Sequence, residues 1–345
     1  MKRIAVLLAV SCALFPGAAQ AHEKWFIDAG RFPLRPDLFI PSGALWYVMG
    51  TILAAGALGV LWRARGGRDY LPSPERFGAT ERGRQVIYAL LPLAIGLHVA
   101  IPLLVNGTNG FLLSPNIHLI GPGVYVLGIF ELWTALALLY GGLTRLAAVA
   151  LGVLWIFALL FARPQDAFDN VFYLGIAAFF FMAGRGPVSV DRFMFPLLEP
   201  PRRLARHAVD ALRIGMGASF VIVAFTEKFA NLPLALAFLE RYHVNFTPFF
   251  GLHMPDSVFV YAAASVELLV GFCLLLNIFP REIIIVAWLP INLTLMYFNS
   301  VELIGHLPIY GIMAVLLIWI PGDANRVQWT SALHAFEWSS KKIVT

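Results

Sequence analysis

The sequence predicts an all-α integral membrane protein with nine transmembrane helices after a cleaved signal peptide. Three observations carry that reading. The 345 residues are 59% hydrophobic and only 13% charged, with a mean hydropathy of +0.77, whereas a soluble domain carries about 25% charged residues. Several apolar runs reach the roughly 18 residues that a helix needs to cross about 30 Å of hydrocarbon. The chain also repeats itself at a constant spacing: Glu131, Arg145, Gly175 and Gly186 return 136 residues later as Glu267, Arg281, Gly311 and Gly322, and Asp166 returns as Glu302.

Residues 1–21 read as the signal peptide. Lys2 and Arg3 form a basic start, Ile4 to Phe15 an apolar run, and Ala18 to Ala21 a small-x-small cleavage site. Cleavage there leaves His22 as the mature N-terminus outside the cytoplasm, followed by a periplasmic segment over residues 22–42. The first helix, at residues 43–62, stands outside the repeat. Its Gly50, Ala54, Ala55, Gly56 and Gly59 suit close helix packing, and Trp46, Tyr47 and Trp62 mark its interfaces.

Eight further spans are expected near residues 86–105, 122–140, 145–162, 168–184, 209–226, 257–279, 282–299 and 303–320. They form two four-helix modules, residues 84–195 and 207–330, followed by a cytoplasmic tail at 331–345. An even number of spans per module keeps the two copies parallel, related by a pseudo-two-fold along the membrane normal. With the N-terminus outside, 17 Lys and Arg face the cytoplasm, against six outside (Lys24, Arg31, Arg35, Arg163, Lys228 and Arg241). That asymmetry obeys the positive-inside rule and puts the C-terminus in the cytoplasm of a bacterial-type inner membrane.

Several chemistries are disfavoured. The net charge of +5 comes from basic residues spread over loops, which is not a nucleic-acid footprint. Cys12 and Cys273 are the only cysteines, so there is no disulfide framework and no cysteine-ligated cluster. No Walker A, G-x-G-x-x-G, H-E-x-x-H or G-x-S-x-G motif is present.

Glu131 and Glu267 fall near the bilayer centre, where a carboxylate costs about 2.5–3.5 kcal/mol and so faces the protein interior or a cavity. Two readings stand for them: proton acceptors or ligand groups beside a bound substrate, or interhelical hydrogen bonds that fix the bundle. Asp166 and Asn170, like Glu302 and His306, are four residues apart, so each pair shares a helix face. In the second module an acid therefore stands over an imidazole, an arrangement that orients a tautomer, relays a proton or helps hold a metal. An ordinary helix N-terminus explains the same residues. Glu227 and Lys228 close the sixth helix, and "NLPLALAFLERY" after them reads as an interfacial helix, either a lid for a lipid-soluble molecule or a plain amphipathic connection. His22, with an amine and a ring on one residue, and His98 are candidate metal ligands, copper foremost, although no zinc-like spacing supports them.

These residues resemble the DoxX/DoxD-like membrane family. The resemblance rests on "LRIGMGASFVIVAFTEKFAN" with Lys228-Phe229, on Glu267 with Gly271 and the basic turn at Arg281, and on Glu131 and Arg145 in the first copy. It covers about residues 84–330, in a double-length form. The resemblance implies quinone chemistry, since DoxD-like proteins are described as the membrane subunit of a thiosulfate:quinone oxidoreductase that acts with a small second subunit. The expectation is therefore a membrane subunit passing electrons from a periplasmic donor to quinone. Glu131, Glu267, Glu302 and His306 would handle protons, and Glu227, Lys228, Asp166 and Asn170 would contact substrate. A non-enzymatic transporter, a copper-handling protein and a scaffold for a periplasmic partner are the alternatives.

Overall fold

The computed structural model describes residues 22–320 except 199, 201, 296, 297 and 299. The expected signal peptide and the tail at 331–345 lie outside the described residues. Among the described residues the regular elements are helices apart from one short hairpin. Helix α1 spans Ala44–Ala64 and α2 Glu81–Asn109. After α2, strands β1 (Phe111–Leu112) and β2 (Ser114–His118) pair antiparallel. Then come α3 (Gly123–Tyr140), α4 (Thr144–Phe161), α5 (Pro164–Asp169), α6 (Phe172–Ala183) and α7 (Ala208–Val223). A π-helical turn over Ala224–Phe229 extends α7, and α8 (Leu232–Tyr242), α9 (Asp256–Leu275), α10 (Pro280–Leu295) and α11 (Ser300–Ile318) complete the chain.

Among the described residues seven helices are long and apolar enough to cross a membrane: α1, α2, α3, α4, the run Arg203–Phe229, α9 and α11. Their outward faces are apolar too, as at Leu53, Val60, Ile129, Leu146 and Leu160, all exposed. In water those surfaces would be an aggregation liability; in lipid they need no cover. The segment expected as one span at 168–184 is broken at Asn170 and Val171, which leaves α6 with 12 residues, about 18 Å and too short to cross alone. The expected span at 282–299 appears as the 16-residue α10, with Pro290 inside it. Helix α2 is longer than expected. Thr80 caps it by accepting the Gly83 N–H at 3.0 Å, and Gly110 ends it at φ +75°.

Contacts divide the chain into two compact units that do not follow chain order: Met1–Leu71 with Gly217–Ile304, and Pro72–Met216 with Gly305–Thr345. In the first unit α9 packs against α1, α8 and the π-turn, around a core that includes Val48, Phe229, Phe238, Tyr261 and Leu268. Gly217 and Gly271 let α7 and α9 touch: a Cβ on Gly271 would lie 2.9 Å from the Gly217 carbonyl oxygen and 2.7 Å from Val221. That close approach brings the end of α7 against the middle of α9. In the second unit α2 packs on α3, and α4 on α3 and α6.

The helices that carry the repeated glutamates end alike. Gly141 and Leu143 after α3, and Asn277 and Phe279 after α9, all have positive φ, between 45° and 68°, and the spacing is again 136 residues. A positive φ is uncommon for Leu and Phe, so each turn needs external support. Asp191 accepts the Leu143 and Thr144 N–H groups at 2.6 and 2.7 Å. After α9, Phe279 is clamped by rings: Trp62 at 4.7 Å and Tyr70 at 5.4 Å between centroids. Beside it Glu282 accepts the Tyr70 and Leu71 N–H groups at 2.5 and 2.7 Å, and Arg281 lies 3.6 Å from Asp69.

Burial, followed by the neighbouring charge of Glu282, pushes the Asp69 carboxyl up to about 6, with Arg281 only partly offsetting. The folded chain therefore binds this proton more tightly than the unfolded chain, whose Asp titrates near 3.9. The stability that this proton contributes is complete below about pH 4 and lost as pH rises through about 6. An Asp69→Asn protein is expected to gain melting temperature relative to the parent at pH 7 but not at pH 4. Parallel melting-temperature profiles for the two proteins would contradict this.

Candidate functional site

The first unit buries a group of charges. Helix α7 does not stop at Val223 but widens into the π-turn Ala224–Phe229, a form that recurs at functional sites. Pro233 at the start of α8 forces the break that follows. The turn leaves two adjacent ionisable residues, Glu227 and Lys228, 0% and 2% exposed.

The N-terminal segment folds in above them. Residues Glu23–Trp25 form one 3₁₀ turn in which both Glu23 and Lys24 are buried. Phe26 anchors the segment among Phe238, Tyr242 and Phe298, with ring centroids 4.4–6.3 Å away. Further along, the Arg35 N–H donates to the Ala230 carbonyl at 2.7 Å, and the Asn231 amide donates to the Phe32 carbonyl at 3.1 Å.

Four side chains meet beneath this strap. Lys228 Nζ lies 2.9 Å from Glu267 Oε1 and 3.6 Å from Glu23 Oε1. Glu227 Oε2 accepts the Glu23 N–H at 2.9 Å, and Glu227 Oε1 is 3.4 Å from His22 Nδ1. Glu302, also buried, lies near enough to feel the charges of His22, Glu227 and Lys228. Glu23 Oε2 and Glu267 Oε2 have no hydrogen-bond partner among the described residues. Burial raises the Glu23 carboxyl well above the usual carboxylate range; Lys228 opposes this, and the charges of Glu227 and Glu267 add to it.

An aromatic path leads away from this cluster. Phe229 stacks on Tyr261 at 6.0 Å, and Tyr261 meets Tyr47 at 5.2 Å. Tyr47 lines an open, mainly apolar groove of about 390 Å³ between α1 and α9, with Trp46, Thr51, Ser265 and Leu269. That volume is within the range of small-molecule sites.

The candidates in the second unit have different surroundings. Glu131 Oε1 accepts the N–H of Leu113, the positive-φ residue at the tip of the hairpin, at 2.9 Å. The Tyr173 hydroxyl donates to the Leu113 carbonyl at 3.0 Å. Asn170 donates to Ser114 Oγ at 3.1 Å, and Asp166 pairs with Arg163 at 2.7 Å. These four residues hold the hairpin and the start of α5. His306 lies one turn beyond Glu302 on α11, buried, with its ring 6.4 Å from that of Tyr310. His98 Nδ1 is 2.8 Å from the carbonyl of Ala94, on its own helix. Among the described residues no three His, Cys, Asp or Glu side chains are grouped to hold a metal ion.

Of the residues expected from sequence, Glu227, Lys228, Glu267, Glu302 and His22 come together, and Asp166, Asn170 and Glu131 form a second, separate setting. Glu23 and Lys24 were not foreseen. The only sign of them was two charged residues directly beside Trp25 and Phe26, in a segment with no apolar period of its own. A scan against family models found no match, and neither curated proteins nor solved structures gave one.

Proposed function

We propose that this chain is a DoxX/DoxD-like membrane subunit of a quinone-linked oxidoreductase, set in the inner membrane with its N-terminus outside and its C-terminus in the cytoplasm. On this reading residues 1–21 are removed, nine segments cross the membrane in two parallel four-helix repeats plus α1, with the short α5 and α6 together making one crossing, and a periplasmic redox partner supplies electrons. The recurring left-handed turns after α3 and α9 favour the repeat.

The observation that carries the proposal is the Glu23–Lys228–Glu267 group, buried within an apolar bundle and linked through Phe229, Tyr261 and Tyr47 to a lipid-side groove. Reduction of a quinone consumes two protons for two electrons, so a quinone site needs buried groups that hold and release protons. Glu23 and Glu267 each keep one carboxylate oxygen without a partner among the described residues, which fits proton exchange. Lys228 holds the two carboxylates in place, and Glu227 ties the N-terminal strap over them. The apolar groove gives a lipid-soluble ring a place that water does not compete for.

Purification from membranes followed by solvent extraction is expected to yield co-purifying quinone. With its partner subunit, the protein should reduce added quinone, and Glu267→Gln should slow that reduction about 10²–10⁴-fold. Full activity of Glu267→Gln would remove the proton role, and absence of both quinone and quinone reduction would remove the proposal.

A further inference from the structure

The contacts of Glu227 converge on the first residues of the N-terminal strap. Its two oxygens meet the His22 ring at 3.4 Å and the Glu23 N–H at 2.9 Å. The main-chain nitrogen of His22 lies only about 3–4 Å from that of Glu23, by chain geometry. It is therefore held close to a buried carboxylate. The His22 ring is fixed as well, 4.4 Å from the Trp25 ring, so residue 22 is anchored and does not trail from the surface.

Glu23, Glu227, Glu267 and Glu302 are all buried, and His22, Lys228 and Lys24 act on Glu227 as positive charges. A buried carboxylate depends strongly on the cations placed beside it. The sequence immediately before His22, Ala18 to Ala21, has the small-x-small form that signal peptidase cleaves.

We infer that hydrolysis of the Ala21–His22 peptide bond is an assembly step for this cluster, because it converts the His22 amide nitrogen into an α-ammonium that pairs with Glu227. One water is consumed: its oxygen stays with Ala21 in the new carboxylate, and both its hydrogens go to the His22 nitrogen, which becomes the α-ammonium. In the uncleaved chain the same position holds a neutral amide, and Glu227 has one cation fewer. The leader is then more than an export address, since its removal adds a charge beside the buried Glu227 carboxylate. The inference rests on reading residues 1–21 as a cleaved leader and is independent of quinone chemistry.

The test uses full-length protein purified from membranes. Intact mass is expected to show His22 as the first residue; retention of Ala21 would end both the leader reading and the inference. Acetic anhydride labelling at pH 7, read by peptide mass, is expected to modify the His22 amine at least about tenfold more slowly in the folded protein than in the detergent-denatured one. A protonated amine does not acylate, and a free α-amine titrates near 7.7–8.0. Equal labelling rates would overturn the pairing while leaving the leader reading intact.

A second measurement separates pairing from simple burial. One glycine inserted between Ala21 and His22 moves the new amine by a residue. The inserted protein is expected to melt lower than the parent, and adding Glu227→Gln should restore most of that loss. No loss on insertion, or no rescue by Glu227→Gln, would overturn the inference.

Discussion

Replacing Lys228 with methionine is expected to cost about 3–5 kcal/mol of stability, among the largest single-residue losses in this chain. The Lys228 ammonium is 2.9 Å from Glu267 and 3.6 Å from Glu23, and all three side chains are about 3% exposed. Removing the cation leaves two carboxylates facing each other without solvent. Methionine keeps the length and packing of the side chain, so the loss reports charge rather than a cavity. The combined Lys228→Met/Glu267→Gln change removes one of the stranded carboxylates and is expected to recover a large part of the loss. Denaturant unfolding of detergent-solubilised protein, followed by circular dichroism, measures both. A loss of under about 1 kcal/mol for Lys228→Met, the behaviour of an exposed pair, would show that the group is wet and weakly coupled.

The parts of this structure that were legible in the sequence are those written in local pattern. Long apolar runs fixed most helices to within a few residues, as with α3, α4 and α9, because length and hydropathy decide a span almost alone. The central acids were legible for the same reason: a glutamate eight or more residues into an apolar run has nowhere to go but inward. The break between α5 and α6 was not legible. Asn170 leaves the helix to bond Ser114, 56 residues away in sequence, and no local rule reports that partner. The strap over the π-turn was hidden for a similar reason. Its affinity for the bundle comes from Phe26 against three rings contributed by distant segments and from Glu23 against Lys228, 205 residues apart, so nothing in residues 22–42 alone distinguishes it from a free periplasmic tail.

The two repeated glutamates sit at equivalent sequence positions, yet substitution should separate them. Glu131 bonds a backbone N–H at the tip of the hairpin, while Glu267 bonds a cation. Glu131→Leu is expected to cost about 1–3 kcal/mol, because the buried Leu113 N–H loses its acceptor. Glu131→Gln keeps an oxygen at that place and should remain within about 1 kcal/mol of the parent. The quinone reduction proposed above should survive Glu131→Gln, since that carboxyl already holds the N–H of a positive-φ residue whose carbonyl is held in turn by Tyr173. Glu267→Gln should have the opposite profile: a modest effect on unfolding, since an amide oxygen still faces Lys228, and a large loss of turnover. Measuring unfolding and turnover on the same two proteins decides the matter. If Glu131→Gln abolishes turnover while folding normally, both modules carry proton chemistry. If it does not, the first copy of the repeat has become a structural clamp, and the chemistry stays with the copy that gained Lys228 and the N-terminal strap.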